Sequence, residues 1–305
     1  MSFTVDNAEI EADLPVPMEN FRRQVNDRLR SSVDSVEPPR LREAMAYSLL
    51  ADGKRIRPTL CLLTFEIFDT DVSIALPTAC ALEMLHTASL IHDDLPSMDN
   101  DDFRRGSPSN HRVFGEGMAL LAGDALLAYA LEFILQNAGA LPPEKILGVM
   151  AKLIEVVGPS GLSGGQAIDL HSQGREQVDA WTVEEMHIKK TGALIEASVV
   201  TGAILGGASQ QDIAHLVTYA RNLGLAYQIV DDILDETSTF EKFGKEVGQD
   251  RAAGKWTYPR VMGVEKARKR VRDLIAHGVA ELDGFGERAS MLRWAAQVVH
   301  DRAAA

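Results

Sequence analysis

The sequence predicts a single large all-α domain, and three observations support that prediction. Apolar residues recur at spacings of three and four, as in Leu127, Leu131 and Ile134, which is the period of one helix face. Alternating apolar and polar residues, the pattern typical of a half-buried strand, are nearly absent. Proline and glycine stand between long segments and not within short ones, for example at Pro38-Pro39 and Gly158-Pro159.

The breaks between periodic segments divide the chain into about ten helices. Their starts fall near residues 20, 40, 58, 73, 111, 143, 164, 183, 210 and 258. Leu41, Met45 and Leu49 give the helix near 40 its apolar face. Residues 1–17 are acidic, and we expect a mobile N-terminal segment there. Residues 18–305 are expected to form one domain because no shift in composition divides them.

Composition limits the classes of function. The chain has 305 residues, of which 46% are hydrophobic and 25% charged, as in a globular protein with a sizeable core. Lys and Arg number 31 against 44 Asp and Glu, so the net charge is −13. This balance argues against a duplex nucleic-acid partner, which requires a basic face. An acidic protein can still bind a polyanion when metal ions lie between the two.

The cysteines and the apolar runs predict a cytoplasmic location. Cys61 and Cys80 lie in apolar stretches, as buried thiols do in a reducing compartment. The first twenty residues contain no Lys, no Arg and no apolar core, so no secretory signal is expected. Charged residues such as Asp124 and Glu196 interrupt the apolar runs before they reach the 18 residues of a membrane span, so we expect no transmembrane segment.

Two apolar segments end in clusters of aspartate. In the second cluster Asp231 and Asp235 are four residues apart, about 40° from each other on one helix face, with Asp232 beside them. In the first, Asp93 and Asp99 are six apart and about 120° out of register on an ideal helix. Pro96 should end that helix, because it lacks an N–H group, and an irregular turn would return Asp99 toward Asp93.

Clustered carboxylates predict a magnesium site. They repel one another unless cations hold them together, and oxygen-only ligands suit Mg²⁺ bound together with substrate phosphates. A lone aspartate cluster is more often a solvated helix face, but two clusters on apolar helices favour metal binding. A calcium loop starting at Asp99 is rejected, because its fifth and sixth positions would be Phe103 and Arg104.

Basic residues lie near the acidic ones. Residues 53–58, GKRIRP, form a compact basic turn before a helix and are a candidate phosphate cradle. Arg104-Arg105 follow the first cluster directly. His86 lies two turns before Asp93 and is either a buried core histidine or a hydrogen-bond donor to a phosphate. The remaining candidates are the isolated lysines Lys190, Lys245 and Lys255, and for Lys245 or Lys255 alone a solvated surface charge is the simpler interpretation.

Several short motifs occur in a specific order. They are GKRIRP at 53–58, LIHDDLPSMDNDDFRRG at 90–106, GGQAIDL at 164–170, KTGAL at 190–194 and YQIVDDILD at 227–235, followed by Gly244-Lys245 and Gly254-Lys255 with Thr257-Tyr258-Pro259. On these motifs the chain, from about Phe21 onward, resembles the trans-isoprenyl diphosphate synthases, and most closely the short-chain farnesyl and geranylgeranyl diphosphate synthases.

The resemblance implies a fold, a metal content and two substrates. The fold would be an isoprenoid-synthase-type helical bundle around a deep apolar cavity, forming a single polyprenyl synthase domain that assembles as a homodimer. Two to three Mg²⁺ ions would be held by the two clusters, namely Asp93, Asp94 and Asp99, and Asp231, Asp232 and Asp235. Isopentenyl diphosphate would be bound by Lys54, Arg57, His86 and Arg105. The allylic diphosphate (dimethylallyl, geranyl or farnesyl) would be bound by Arg104, Lys190, Thr191, Gln228, Lys245 and Lys255.

The implied chemistry is a prenyl transfer. Metal ions and cationic side chains would stabilise the departing pyrophosphate, leaving an allylic cation for the double bond of isopentenyl diphosphate to attack. Pyrophosphate would take the proton, and an apolar pocket would exclude water. Gln166 and Asp169 would line the site through water and neighbouring contacts. Two departures from the family pattern, Asp52 before Gly53 and Trp256 after Lys255, remove no proposed ligand.

Product length depends on the helix that carries the first cluster. Ser89, Leu85 and Ala88 lie about 40°, 80° and 140° from Asp93 around that helix and are expected to line the tunnel. Similar farnesyl synthases carry an aromatic residue where this chain has Ala88, so a twenty-carbon geranylgeranyl product is expected, with the fifteen-carbon farnesyl product as the alternative. Residues 153–157 of a facing helix are candidates for the tunnel floor.

Two other classes of protein remain as alternatives. A class I terpene cyclase would share one aspartate cluster but needs no second diphosphate site, whereas Lys54, Arg57 and Arg105 supply one here. A non-catalytic subunit of a heteromeric synthase would be expected to lose aspartates from one cluster, and both clusters are complete.

Overall fold

The computed structural model describes residues 15–237 and 254–304. These residues form helices joined by short loops, with one two-stranded antiparallel hairpin, β1 (Phe103–Arg104) and β2 (Ser107–Pro108). Numbered over the described residues, the helices are α1 (Val16–Val33), α2 (Pro39–Leu49), α3 (Ile56–Phe65), α4 (Leu76–Asp93), α5 (Asn110–Phe114), α6 (Glu116–Gln136), α7 (Pro143–Val157), α8 (Leu162–Ser172), α9 (Ala180–His187), α10 (Ala193–Gly206), α11 (Gln210–Thr237), α12 (Tyr258–Met262), α13 (Val264–Ala280) and α14 (Ser290–Ala304). The all-α prediction is confirmed.

The predicted helix starts agree with the structure. Each of the ten lies within about four residues of an observed start, the usual error of such boundaries. The sequence pattern did not separate α6, α10, α13 and α14 from the elements before them. Helices α6 and α13 each follow a single glycine, Gly115 or Gly263, with φ of 84°, a conformation that glycine adopts without the steric cost of a Cβ. Residues 16 and 17, expected in the N-terminal segment, belong to α1.

Close helix packing builds the core around α4 and α10. Helix α4 packs most extensively against α6 and also contacts α3 and α1, whereas α10 packs between α3, α7 and α11. A Cβ at Gly202 of α10 would lie 2.2 Å from the carbonyl oxygen of Cys61, so only glycine permits this approach to α3. Cys61 and Cys80 are buried free thiols, as predicted. Burial raises the pKa of both, and that of Cys61 to about 12.

Within residues 15–237 and 254–304, two stretches have the length and apolar composition of a membrane span, Glu116–Gln136 and Pro143–Ser172. The first is α6, which packs against α4, and the second contains the break between α7 and α8. Core helices of globular proteins share this composition, so these two are weak indications of a membrane span. The expectation of no transmembrane segment stays a prediction.

Candidate active site

The first aspartate cluster lies at the end of α4. The helix ends at Asp93, and the chain turns back so that the Asp99 N–H donates to the Asp93 carbonyl oxygen at 2.9 Å. Pro96 stands inside this turn. The spacing argument from the sequence is therefore confirmed: an irregular turn after α4 places Asp99 next to Asp93.

Polar and cationic side chains from three other parts of the chain meet this turn. Lys255 Nζ donates to Asp99 Oδ2 at 2.8 Å, and Gln166 donates its amide to Asp93. Lys190 Nζ donates to Asp169 Oδ2 at 2.6 Å. Burial raises the pKa of the Asp93 carboxyl, and Lys190 opposes that rise while Asp99 adds to it.

Asp94 and Arg104 form a separate pair beside the cluster. Arg104 Nε donates to Asp94 Oδ1 at 2.9 Å, and its Nη2 donates to Asp101 Oδ2 at 2.8 Å. Burial raises the pKa of Asp94 to about 6, with Arg104 opposing it. A cavity of about 280 Å³ lies on this flank of α4 and is lined by Asp94 and Thr87 among others. In this structure the Asp94 carboxylate therefore pairs with Arg104 and does not lie with the carboxylates of Asp93 and Asp99.

A π-helical turn, Ile188–Gly192, carries Lys190 and Thr191. Such turns are rare in proteins overall, but those that occur are frequently found at functional sites. A Cβ at Gly165 of α8 would lie 2.3 Å from the Lys190 backbone nitrogen, so α8 packs directly on the turn. A Cβ at Gly224 of α11 would lie 2.9 Å from the Cα of Gly192, so α11 packs on its other side.

These two glycine contacts bring the remaining site residues to the turn. On α8, Gln166 and Asp169 follow Gly165 and reach Asp93 and Lys190 respectively. On α11, one turn beyond Gly224, Gln228 accepts a hydrogen bond from Thr191 Oγ1 at 2.9 Å.

The second cluster lies near the end of α11, and its adjacent aspartates have different surroundings. The Asp231 side chain is 33% exposed and lies 3.4 Å from Arg302 Nη2. The Asp232 side chain is 2% exposed and accepts hydrogen bonds from His187, Gln228 and the Tyr258 backbone N–H. Asp235 is buried on the same helix. The structure therefore places the Asp232 carboxylate among three hydrogen-bond donors of the protein itself.

The basic turn before α3 lies beside the end of α4. Arg57 Nε is buried without a hydrogen-bond partner among the described residues, as expected for a donor that awaits a ligand. Burial lowers the pKa of Arg57. Burial, with Arg57 and Arg105 nearby, lowers the pKa of His86 well below its ordinary value. Lys54 is exposed.

A buried ion pair that the sequence did not single out supports this turn. Arg55 has a left-handed φ of 50°, and its Nη1 donates to Glu83 Oε1 at 2.6 Å. Arg105 Nη2 lies 3.5 Å from the same carboxylate oxygen. A Cβ at Gly53 would lie 3.0 Å from Arg105 Cζ, so glycine lets the turn approach that guanidinium. The sequence does contain an indication of this ion pair. Glu83 is a lone charge in an apolar helix, and a buried charge of this kind requires a cation partner.

The product-length candidates lie along α4. Ala88 and Leu85 are fully buried, and Ser89 is partly buried, with its hydroxyl donating to the His86 carbonyl oxygen at 2.8 Å. The expected floor, residues 153–157, lies on α7, which packs against α10 and α8.

The sequence also singled out Asp52, Trp256 and Lys245. Asp52 is exposed. Trp256 packs under Arg260, whose guanidinium carbon is 4.0 Å from the ring centroid and whose Nη1 donates to the Lys255 carbonyl oxygen. Trp256 thus supports the segment that carries Lys255. Lys245 lies outside the described residues.

Comparison with protein families then decides the classification. Residues 38–285 match the family model described as polyprenyl synthetase. The chain belongs to the polyprenyl synthetase family.

Named relatives agree with this membership. The chain is 47% identical to a dimethylallyltranstransferase of Fischerella ambigua over 92% of this chain and 81% of the relative. It is 49% identical to a geranylgeranyl diphosphate synthase of Cyanophora paradoxa over 87% of this chain and 88% of the relative. The crystal structure of an FPP/GFPP synthase from Zymomonas mobilis matches with a TM-score of 0.83 and 36% identity, over 93% of this chain and 97% of that one.

Proposed function

We propose that this polyprenyl synthetase is a Mg²⁺-dependent prenyltransferase that condenses isopentenyl diphosphate with an allylic diphosphate. Its main product is geranylgeranyl diphosphate, and the second candidate is farnesyl diphosphate. The observation that carries the proposal is the separation of two polar regions. Carboxylates and lysines gather around Asp93, whereas Arg57 and Arg105 form a distinct basic region beside His86.

The donor set fits magnesium. The candidate ligands are carboxylate oxygens, Asp93 and Asp99 after α4 and Asp231 and Asp235 on α11. Oxygen ligands suit Mg²⁺, which is commonly held by one or two carboxylates together with substrate phosphates. Two to three bound Mg²⁺ ions would supply the positive charge that neutralises the diphosphates.

Different residues of the chain bind the two substrates. Lys190 and Lys255, each paired with an aspartate in this structure, supply positive charge for the allylic diphosphate. Thr191, next to Lys190 in the π turn, is hydrogen-bonded to Gln228 of α11. Arg57 offers its free Nε–H to isopentenyl diphosphate. The apolar wall of α4 excludes water from the cation that forms when pyrophosphate leaves, and pyrophosphate takes the proton lost on coupling.

One assay tests the function against its alternatives. Purified protein is incubated with Mg²⁺, isopentenyl diphosphate and dimethylallyl, geranyl or farnesyl diphosphate, and both pyrophosphate release and product chain length are measured. The proposal expects release only when both substrates are present, with twenty-carbon product. Release from an allylic diphosphate alone would indicate a terpene cyclase. Activity only after mixing with a second chain would indicate a subunit of a heteromeric enzyme.

Replacing Arg57 with alanine should raise the KM for isopentenyl diphosphate about tenfold or more and leave the KM for the allylic substrate nearly unchanged. A charge-assisted hydrogen bond contributes about 1.5–3 kcal/mol, and 1.4 kcal/mol corresponds to a factor of ten. Steady-state kinetics with each substrate varied in turn measures the effect. Arg23→Ala, an exposed position on α1, is the matched control. Equal increases in both KM values would show that the two diphosphate regions are assigned wrongly.

Replacing Ala88 with phenylalanine should shift the main product from twenty to fifteen carbons while turnover persists. One isoprene unit is about as long as one helical turn, roughly 5 Å, so a ring one turn below the cluster blocks the last addition. Because Ala88 is fully buried, overpacking should also cost about 1–3 kcal/mol of stability.

Chromatography of the dephosphorylated products measures chain length. Thr87→Val, on the flank of α4 that lines the 280 Å³ cavity, should leave chain length unchanged. If the wild-type enzyme stops at fifteen carbons with excess isopentenyl diphosphate, the tunnel argument fails while the synthase function stands.

We also propose that the protein is a cytoplasmic homodimer that pairs through α6. Leu120, Leu121 and Leu135 of this helix are 47%, 54% and 56% exposed in the single chain, and exposed leucines are better covered by a protein partner than by water. The molar mass in solution tests the dimer, and Leu121→Glu should shift it toward the monomer.

A further inference from the structure

We infer that Asp232 holds no metal ion and is instead the positioning residue that fixes Lys190 and Lys255 relative to each other. The inference rests on the proposed function and refines it, because Asp232 stands inside the aspartate cluster whose carboxylates would otherwise be assigned to Mg²⁺ as a group.

The carboxylate of Asp232 is already engaged on both oxygens. Oδ2 accepts from His187 Nε2 and from the Tyr258 backbone N–H, both at 2.8 Å, and Oδ1 accepts from Gln228 Nε2 at 3.1 Å. An ionised carboxylate offers about four acceptor positions, so these donors use most of them. With its side chain 2% exposed, Asp232 has little surface left for a hydrated cation, whereas its neighbour Asp231 is 33% exposed.

The groups held by Asp232 lie three residues from each lysine. His187 ends α9 and precedes Lys190 by three positions, and Tyr258 begins α12 and follows Lys255 by three positions. One oxygen atom of α11 therefore joins the π turn to the segment that carries the second lysine.

Further contacts make this junction rigid. The rings of His187 and Tyr258 stack with centroids 6.4 Å apart. Tyr258 Oη donates to Glu184 Oε2 at 2.7 Å, and Arg270 donates to the other oxygen of Glu184 at 2.8 Å. The N–H of Tyr258 would otherwise be one of the unsatisfied donors at a helix start, so Asp232 also stabilises the first turn of α12.

Gln228 connects Asp232 to Thr191, another residue proposed to bind the allylic diphosphate. Because its amide nitrogen donates to Asp232, its amide oxygen must face Thr191, and it accepts that hydroxyl at 2.9 Å. Loss of Asp232 is thus expected to disturb the binding of the allylic diphosphate. Arg57 and His86, on α3 and α4, lie outside this network.

The experiment compares Asp232→Ala and Asp232→Asn with Asp231→Asn. Steady-state kinetics gives the KM of each substrate and the Mg²⁺ concentration that supports the half-maximal rate. Calorimetry gives the Kd of inorganic pyrophosphate in the presence of Mg²⁺. Asp232→Ala should raise the KM for dimethylallyl diphosphate and the pyrophosphate Kd about tenfold or more, since misplaced binding groups are costly. The KM for isopentenyl diphosphate and the Mg²⁺ requirement should change less than about twofold. Asp231→Asn should raise the Mg²⁺ requirement.

Asp232→Asn separates the two roles, because asparagine keeps an acceptor for Tyr258 and His187 but is a poorer magnesium ligand. Its amide nitrogen faces Gln228, whose amide can reverse so that its oxygen accepts from asparagine and its nitrogen donates to Thr191 Oγ1. It should restore pyrophosphate binding to within about threefold of the wild type. A Mg²⁺ requirement raised as much as by Asp231→Asn would overturn the inference, as would unchanged KM values in Asp232→Ala. If that alanine variant does not fold, His187→Leu should reproduce its kinetic pattern and His187→Gln, which keeps a donor, should not; equal behaviour of the two would also overturn it. A wild-type protein without turnover refutes the proposed function, and pyrophosphate binding then still tests Asp232.

Discussion

Replacing Asp93 or Asp231 with alanine should abolish prenyl transfer and leave the fold intact. Each change removes a carboxylate proposed to hold Mg²⁺, whose charge stabilisation is worth several kcal/mol, so the rate should fall about a thousandfold or more. Pyrophosphate release at saturating substrates measures the loss. Near-normal turnover of either variant at ordinary Mg²⁺ concentrations would contradict the assignment of the metal site.

Stability should move in the opposite direction for Asp93. Burial raises the pKa of this carboxyl above its unfolded value, so the ionised form costs folding free energy at pH values above the folded pKa. Asp93→Ala removes that cost and the repulsion from Asp99, and in the absence of Mg²⁺ its melting temperature at pH 7 should equal or exceed that of the wild type. Asp27→Ala, at an exposed position on α1, controls for the loss of a negative charge.

Replacing Glu83 with alanine should destabilise the protein by about 3–5 kcal/mol, because it leaves a buried guanidinium without its counter-charge. The side chains of Glu83 and Arg55 are each 2% exposed, and their closest atoms are 2.6 Å apart. The free energy of unfolding in urea measures the effect. The KM for isopentenyl diphosphate should also rise, since the same carboxylate lies 3.5 Å from Arg105.

A surface ion pair provides the comparison for Glu83. Glu43 pairs with Arg40 at 3.1 Å, but both side chains are more than half exposed. Glu43→Ala should therefore cost less than about 1 kcal/mol. Similar losses for Glu43→Ala and Glu83→Ala would show that the buried pair contributes no more than a solvated one.

The parts of this structure that depend on local sequence could be predicted from it. Helix starts follow from apolar periodicity and from proline and glycine. The return of Asp99 to Asp93 follows from Pro96, which cannot continue a helix. Breaks at a single glycine, such as Gly115 and Gly263, were missed because the apolar period continues on both sides of them.

The parts that depend on distant contacts could not be predicted. Asp231 and Asp232 are adjacent and chemically identical, and their difference arises from His187 and Tyr258, which lie 45 and 26 residues away in sequence. The π turn likewise depends on glycines of α8 and α11 that pack against it. Neither contact leaves a periodic signal in a single sequence, so the pattern assigned every aspartate of a cluster to one role.

The two cysteines have a consequence for oxidative chemistry. Cys61 lies on α3 and Cys80 on α4, the helices that carry the basic turn and the first aspartate cluster, and both sulfur atoms are fully buried. Only a thiolate reacts readily with oxidants and electrophiles, and burial suppresses both its formation and its accessibility. Damage at sulfur therefore requires prior opening of the interface between α3 and α4. In the folded protein these thiols do not react. They become open to oxidation only in molecules in which α3 and α4 have separated and the site is already disrupted.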